Sequence, residues 1–142
     1  MIKDNKGQIS LEYLLIFAIT IAILIIFTLP LTEQAIEDTL DVSNALAVKN
    51  DLSKITHAIG EVYGEGQGSK QTVNIMSQDK LKIYLTNNHI FCKLKLKSGL
   101  YKSIDDYYES NLASYSITIN KGENILVVEW PENRDNMIIY TE

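Results

Sequence analysis

An uninterrupted apolar run dominates the first third of the chain. From Tyr13 to Leu29 there is no charged residue, and extending back to Ile9 gives 21 residues. That is roughly 31 Å of helix at 1.5 Å per residue, enough to cross a hydrocarbon core of about 30 Å. Apolar side chains cover every side of this helix, which suits embedding in lipid or in a bundle of like helices. Thr20 and Thr28 are tolerated, because each hydroxyl can bond a carbonyl three or four residues back. Pro30 then interrupts the run. It cannot donate to the carbonyl of Ile26 and its ring crowds that turn, so the helix either ends there or kinks.

Beyond Pro30 the period changes. Ile36, Leu40, Val48, Leu52, Ile55, Ile59 and Val62 fall at steps of three or four, apart from one double step across Asn44. Ala35, Ala45 and Leu46 widen the stripe, while Glu33, Glu37, Asp38, Asp41, Lys49, Asp51 and Lys54 mostly lie elsewhere around the helix. The spacing predicts an amphipathic helix over residues 32–63 whose stripe packs on a head domain. Its continuity favours a kink at Pro30 over a stop. Gly60, Gly64, Gly66 and Gly68 are expected to end it. The stretch Gly64 to Ser69 superficially resembles a phosphate-cradling loop. It follows no strand and opens no helix, and no Lys-Ser/Thr pair comes after it, so it reads as a flexible connection.

The remainder alternates with a period of two. Thr72 to Met76 is short, and Lys80 to Thr86 places Leu81, Ile83 and Leu85 on one face. Asn87-Asn88 turns the chain. Ile90 to Lys97 returns with Cys92, Leu94 and Leu96 on one face and Lys93, Lys95 and Lys97 on the other. These lysines read as a solvated face that can guard against edge pairing, with a weak contact face for anions as the alternative. Leu100 to Ile104 adds a short strand, and Asp105 to Asn111 reads as an exposed polar, aromatic loop. Tyr115 to Ile119 and Asn124 to Trp130 flank the turn Asn120-Lys121-Gly122-Glu123 as a hairpin. Pro131 stops the second strand, and Met137 to Tyr140 closes the sheet. The expected fold is α+β. A long N-terminal hydrophobic and amphipathic helix, kinked or broken near Pro30, packs on a C-terminal antiparallel head of five or six strands joined sequentially by hairpins.

Composition narrows the function classes. The 142 residues carry a formal net charge of -5, which argues against broad nucleic-acid binding, since that needs a basic face. The single cysteine, Cys92, excludes an intrachain disulfide, and its alternation with Leu94 suggests packing rather than nucleophilic chemistry. His57 and His89 lie far apart, on the helix and at a turn tip. No His-x-x-x-His, Cys-x-x-Cys or Gly-x-Ser-x-Gly pattern occurs, and the Asp105-Asp106 pair lacks the ligand count of a calcium site. These features predict no enzyme, no cofactor and no metal site.

The chemistry-bearing stretch is the start of the apolar run, Lys6-Gly7-Gln8-Ile9-Ser10-Leu11-Glu12-Tyr13, preceded by Lys3. The two lysines favour a cytoplasmic N-terminus and an external head. No small-x-small cleavage site follows the run, as an ordinary secretory signal would require. Glu12 stands at the lip of an uncharged segment, where an ionised carboxylate is costly. It could be an interfacial acid at a helix start, stabilised by the helix dipole by about 0.3–1 kcal/mol. Alternatively it pairs with a cation inside an assembly. Cleavage after Gly7 would create an ammonium on Gln8, one helical turn from Glu12.

Gly7 followed by Gln8, Ser10, Glu12, Tyr13 and an apolar helix resembles the class III signal peptide of archaeal type IV pilins, particularly those of methanogens. The resemblance covers about 25 residues. It implies a cleaved basic leader over residues 1–7, a membrane and filament-core helix over 8–31, the amphipathic helix over 32–63 and an extracellular head over 64–142. It also implies processing at Lys6, Gly7 and Gln8 by a prepilin peptidase, with Gln8, Ser10, Glu12 and Tyr13 serving assembly. The implied partners are further copies of the chain or other pilins, the pilus assembly machinery, and membrane lipid before assembly; no nucleic acid is among them. The implied location is the cell membrane and then a surface filament supporting adhesion. A non-polymerising single-pass membrane anchor bearing a binding domain is the alternative, but it leaves Gly7-Gln8 and Glu12 without a reason.

Overall fold

The computed structural model describes residues 5–142, with side chains described from Ser10 onward. The chain divides into two compact units, Met1–Thr39 and Leu40–Glu142. One α-helix, α1 (Asn5–Glu65), supplies most of the first and the opening element of the second. It continues through Pro30, so the break considered there does not occur. Around the proline, side chains back-bond to the helix as their spacing predicts. Thr28 Oγ1 donates to the Leu24 carbonyl, and Thr32 Oγ1 donates to the carbonyls of Thr28 and Leu29 at 2.9 and 2.8 Å.

The second unit joins the later part of α1 to seven antiparallel strands in two sheets. Strands β1 (Lys70–Ser77), β6 (Gly122–Glu129) and β7 (Ile138–Thr141) form a three-stranded sheet in the order β1-β6-β7. Strands β2 (Leu81–Leu85), β3 (His89–Lys95), β4 (Tyr101–Tyr107) and β5 (Tyr115–Ile119) form a four-stranded sheet in the order β4-β3-β2-β5. The helix-on-antiparallel-sheet class is as expected, but the single sequential sheet is not. The chain leaves one sheet after β1 and returns to it only with β6.

The predicted hairpin across Asn120–Glu123 is where this shows. β5 pairs with β2 and β6 pairs with β1, so the two segments do not pair with each other. The turn is a corner between sheets. Gly122 sits at φ 101°, a conformation costly for residues with a Cβ. Asn124 holds the bend through its side chain, donating to the carbonyls of Asn120 and Gly122 at 2.7 and 3.0 Å and accepting the Asn120 N–H at 3.0 Å.

The core forms where the helix stripe meets the inward faces of both sheets. Leu52, Ile55, Ala58, Ile59 and Val62 from α1 pack in one cluster with residues such as Leu85, Ile90, Cys92, Ile119 and Leu126. The stripe begins later than its periodicity suggests. Ile36 and Leu40 remain 59% and 47% exposed, Leu46 is exposed, and burial starts at Ala45. Periodicity reports which residues share a face and not how far a partner surface extends along it. The helix also runs past Gly60 and Gly64 to Glu65. It stops at Gly66, φ 89°, whose N–H bonds the Val62 carbonyl at 3.1 Å in a left-handed cap. Ser69 Oγ donates to the same carbonyl at 2.9 Å, and Trp130 stacks on Tyr63 at 5.8 Å, tying the helix end to the end of β6.

Two further expectations fail on β3 and β4. β3 lies inside its sheet, so Lys93 and Lys95 do not guard an edge. Asp105, Asp106 and Tyr107 belong to β4 rather than to an exposed loop, and Tyr108 after them is buried. Pairing with β3, from His89↔Tyr107 to Lys95↔Tyr101, carries the strand through these polar residues. Alternation then turns Asp106 toward the helix. Its carboxylate accepts Ser53 Oγ at 2.9 Å and Thr56 Oγ1 at 3.2 Å, and Lys49 Nζ lies 3.1 Å from its other oxygen. Lys49 Nζ also donates to the Asp105 carbonyl at 2.6 Å.

Partial burial pushes the Asp106 carboxyl pKa up. The Ser53 and Lys49 hydrogen bonds, the Tyr107 N–H and the Lys49 charge outweigh that and hold it below its usual value of 3.8. A carboxyl depressed on folding stabilises the head above its unfolded pKa and ceases to do so as pH falls through the lower folded value. Asp106→Ala should cost about 1–2 kcal/mol at neutral pH, the scale of two hydroxyl hydrogen bonds and one partly exposed ion pair. Asp106→Asn, which keeps an acceptor, should cost less and should flatten the loss of stability below about pH 4. Chemical denaturation of the three proteins across pH 2–7 checks both, and identical acid profiles would refute the link.

Candidate functional site

The first unit presents an apolar helix that its own chain does not cover. Leu14, Phe17, Leu24 and Phe27 are all more than half exposed. This is the chain's one described helix long and apolar enough to cross a membrane, and none of its most apolar window is buried. Such a surface is unfavourable in water and favourable in lipid or against similar helices.

The side chains of Lys6, Gly7 and Gln8, the expected processing residues, lie outside the described residues, as does Lys3. Ser10, Glu12 and Tyr13 are all described and all exposed on α1. Helical spacing sets Ser10 and Tyr13 on one face and Glu12 on another. Among the described residues, no hydrogen bond or ion pair reaches the Glu12 carboxylate. Between Asp4 and Glu33 the sequence has no other acidic residue, so Glu12 is the lone carboxylate of the apolar stretch.

The head contains no arrangement of reactive groups. The described residues hold no cluster of three or more His, Cys, Asp or Glu able to bind a metal ion. His57 is an exposed helix residue. His89 opens β3 instead of sitting at the turn tip, stacked between Phe91 and Tyr107 at 5.2 and 4.7 Å. The Lys49–Asp106 link with Ser53 and Thr56 was not foreseen from the sequence. Two hydroxyl residues three apart on a helix were its only local signal, and the carboxylate they meet lies some fifty positions away.

Residues 5–31 match the family described as Class III signal peptide. No curated protein and no solved structure matches the chain. The matched segment runs from Asn5 through Lys6, Gly7, the Glu12 region and the apolar run to Leu31. A class III signal peptide implies a peptidase that processes it and association with a membrane. Joined to a helix packed on an antiparallel β head, it gives the chain a pilin-like architecture.

Cys92, the chain's one thiol, is fully buried in the core cluster that also holds Leu94 and the helix stripe. Burial pushes its thiol up to about 11, so it stays protonated and unreactive at neutral pH. A maleimide should therefore leave the native protein unlabelled and should label it fully in denaturant, as read by mass spectrometry. Rapid labelling of the native protein would show that the head opens around β3.

Proposed function

We propose that the chain is a structural subunit, major or minor, of an archaeal type IV pilus-like surface filament that supports adhesion. The observation that carries this reading is the conjunction at the N-terminus: a class III signal-peptide match over residues 5–31 on a helix whose apolar surface is left uncovered. A prepilin peptidase cuts between Gly7 and Gln8 and removes the basic leader. The helix from Gln8 to Leu31 then serves first as membrane anchor and later, bundled with copies of itself or other pilins, as filament core. The amphipathic continuation and the β-rich part from about residue 64 form the external head. Pro30 marks the passage between the two environments, a place where a helix can bend because one backbone donor is missing.

Glu12 has its role in this sequence of events. Cleavage gives Gln8 an α-ammonium four residues before Glu12, a helical rise of about 6 Å. Within one subunit or between neighbours, the two charges neutralise each other in a medium of low dielectric, where an unpaired charge is strongly disfavoured. Only a subunit in the right axial position satisfies both, so the pair sets register as assembly machinery extracts each chain from the membrane. Ser10 and Tyr13 lie on the adjoining face and contribute contacts with neighbouring helices.

N-terminal sequencing of the mature protein should find Gln8 as the first residue, whereas an intact Met1 would point to a simple membrane anchor. Removing one member of a buried ion pair costs roughly 3–5 kcal/mol. Glu12→Gln should therefore leave the protein processed and membrane-bound but absent from filaments. Wild-type filament yield from that variant, measured on sheared surface fractions, would rule out the register role.

A further inference from the structure

The outer face of the four-stranded sheet carries a basic and aromatic surface on a chain that is acidic overall. Ile83, Cys92 and Ile104 point into the core, so the residues alternating with them face away from it. Four rings form a ladder across three strands there. Tyr84 stacks on Phe91 at 5.1 Å and 14°, Phe91 on His89 at 5.2 Å and 22°, and His89 on Tyr107 at 4.7 Å and 19°. Lys82 Nζ lies 5.3 Å from the Tyr84 ring centroid. Toward the other end of β3 and β4, Lys93, Tyr101 and Ser103 line one concavity, and a cleft of about 500 Å³ lined by Lys80, Lys93, Lys95, Lys97 and Tyr101 continues round the sheet end to Leu81, Leu94, Leu96 and Asn44. The carboxylates at that cleft are Asp41 and Asp79. Asp41 is already engaged, accepting the Lys97 backbone N–H at 2.8 and 3.1 Å. On the ladder itself the carboxylate is Asp105, 3.8 Å from His89 Nε2. Ammonium groups therefore outnumber the free carboxylates.

We propose that this face binds an acidic polysaccharide, a chain of uronate or sulfated sugars. The cleft lysines supply repeated cations for repeated anions. Each exposed pair is weak, but several on one polymer add through effective concentration. Tyr101 and Tyr107 are 68% and 69% exposed and offer open ring surface and phenolic hydroxyls to sugar C–H and O–H groups. The ladder geometry argues against single-stranded nucleic acid, the other polyanion that basic and aromatic sheets take. Single strands stack their bases on open ring faces. The inner rings of the ladder, Phe91 and His89, each stack with two neighbouring rings at 4.7 to 5.2 Å and offer no such free face.

Calorimetric titration of the full-length protein in detergent micelles tests the proposal. The probes are polygalacturonate, neutral dextran and oligothymidylate, each at low and high salt. Polygalacturonate should bind, dextran should not, and raising the salt should weaken binding. Lys93→Glu combined with Lys95→Glu should weaken polygalacturonate binding by about tenfold or more, since two attractions become repulsions. Tyr101→Ala should weaken it by about threefold or more. Lys121→Glu, an exposed lysine at the corner between the sheets, should leave it unchanged, and thermal melts should show all variants folded. Oligothymidylate binding as tight as polygalacturonate, no binding of polygalacturonate, or full affinity in the folded double variant would each overturn it. The measurement uses unassembled protein, so its outcome is separate from whether the chain forms filaments.

Discussion

The constraint on which the structure depends is an apolar helical surface left uncovered among the described residues. Residues such as Phe17, Leu24 and Phe27 stand exposed on a helix with no charged residue from Tyr13 to Leu29. Water disfavours that surface, so it needs lipid or other apolar helices around it. Both environments offer the same low dielectric, and a helix satisfies its own backbone hydrogen bonds in either. The same helix is therefore compatible with either environment without refolding.

The head meets the opposite requirement, since it folds in water and buries its own core. Leu52, Ile55, Ile59 and Val62 supply one side of that core, and both sheets supply the other. Polar contacts then orient the layers. Asp106 on β4 gathers Lys49, Ser53 and Thr56 from successive turns of the helix, and Trp130 with Ser69 holds the helix end against β6. These contacts are modest singly, but they define which helix face meets which strand. The core leaves the outer face of the four-stranded sheet free, with its lysines and its ring ladder open to solvent partners.

Charge is distributed along the same division. From Gly7 to Val48 the chain has no basic residue, and the acids Glu33, Glu37, Asp38 and Asp41 follow the apolar run. Lysines return at Lys49 and Lys54 on the helix and then on the strands, where alternation collects Lys82, Lys93 and Lys95 on one sheet face. A net charge of -5 thus conceals a locally basic surface. Argument from total charge excludes a uniformly basic protein and says nothing about a single face.

Local features of the chain were legible in the sequence because their causes are local. The length of the apolar run, the helical period beyond Pro30 and the alternation that buries Cys92 and Leu94 all follow from side-chain spacing, and the α+β class follows from their order. The motif from Gly7 to Tyr13 was legible for the same reason. Pairing between distant segments was not. Tyr115 to Ile119 and Asn124 to Trp130 look like a hairpin because a glycine turn separates two alternating strands, yet the first pairs with β2 and the second with β1, in different sheets. Asp105 to Tyr107 look like a loop because they are polar, yet β3 pairing and the hydroxyls of the helix satisfy them as strand residues. Sequence spacing determined which residues share a face. The tertiary structure alone decided which faces meet, because that choice depends on the burial and hydrogen bonding of groups brought together from distant parts of the chain.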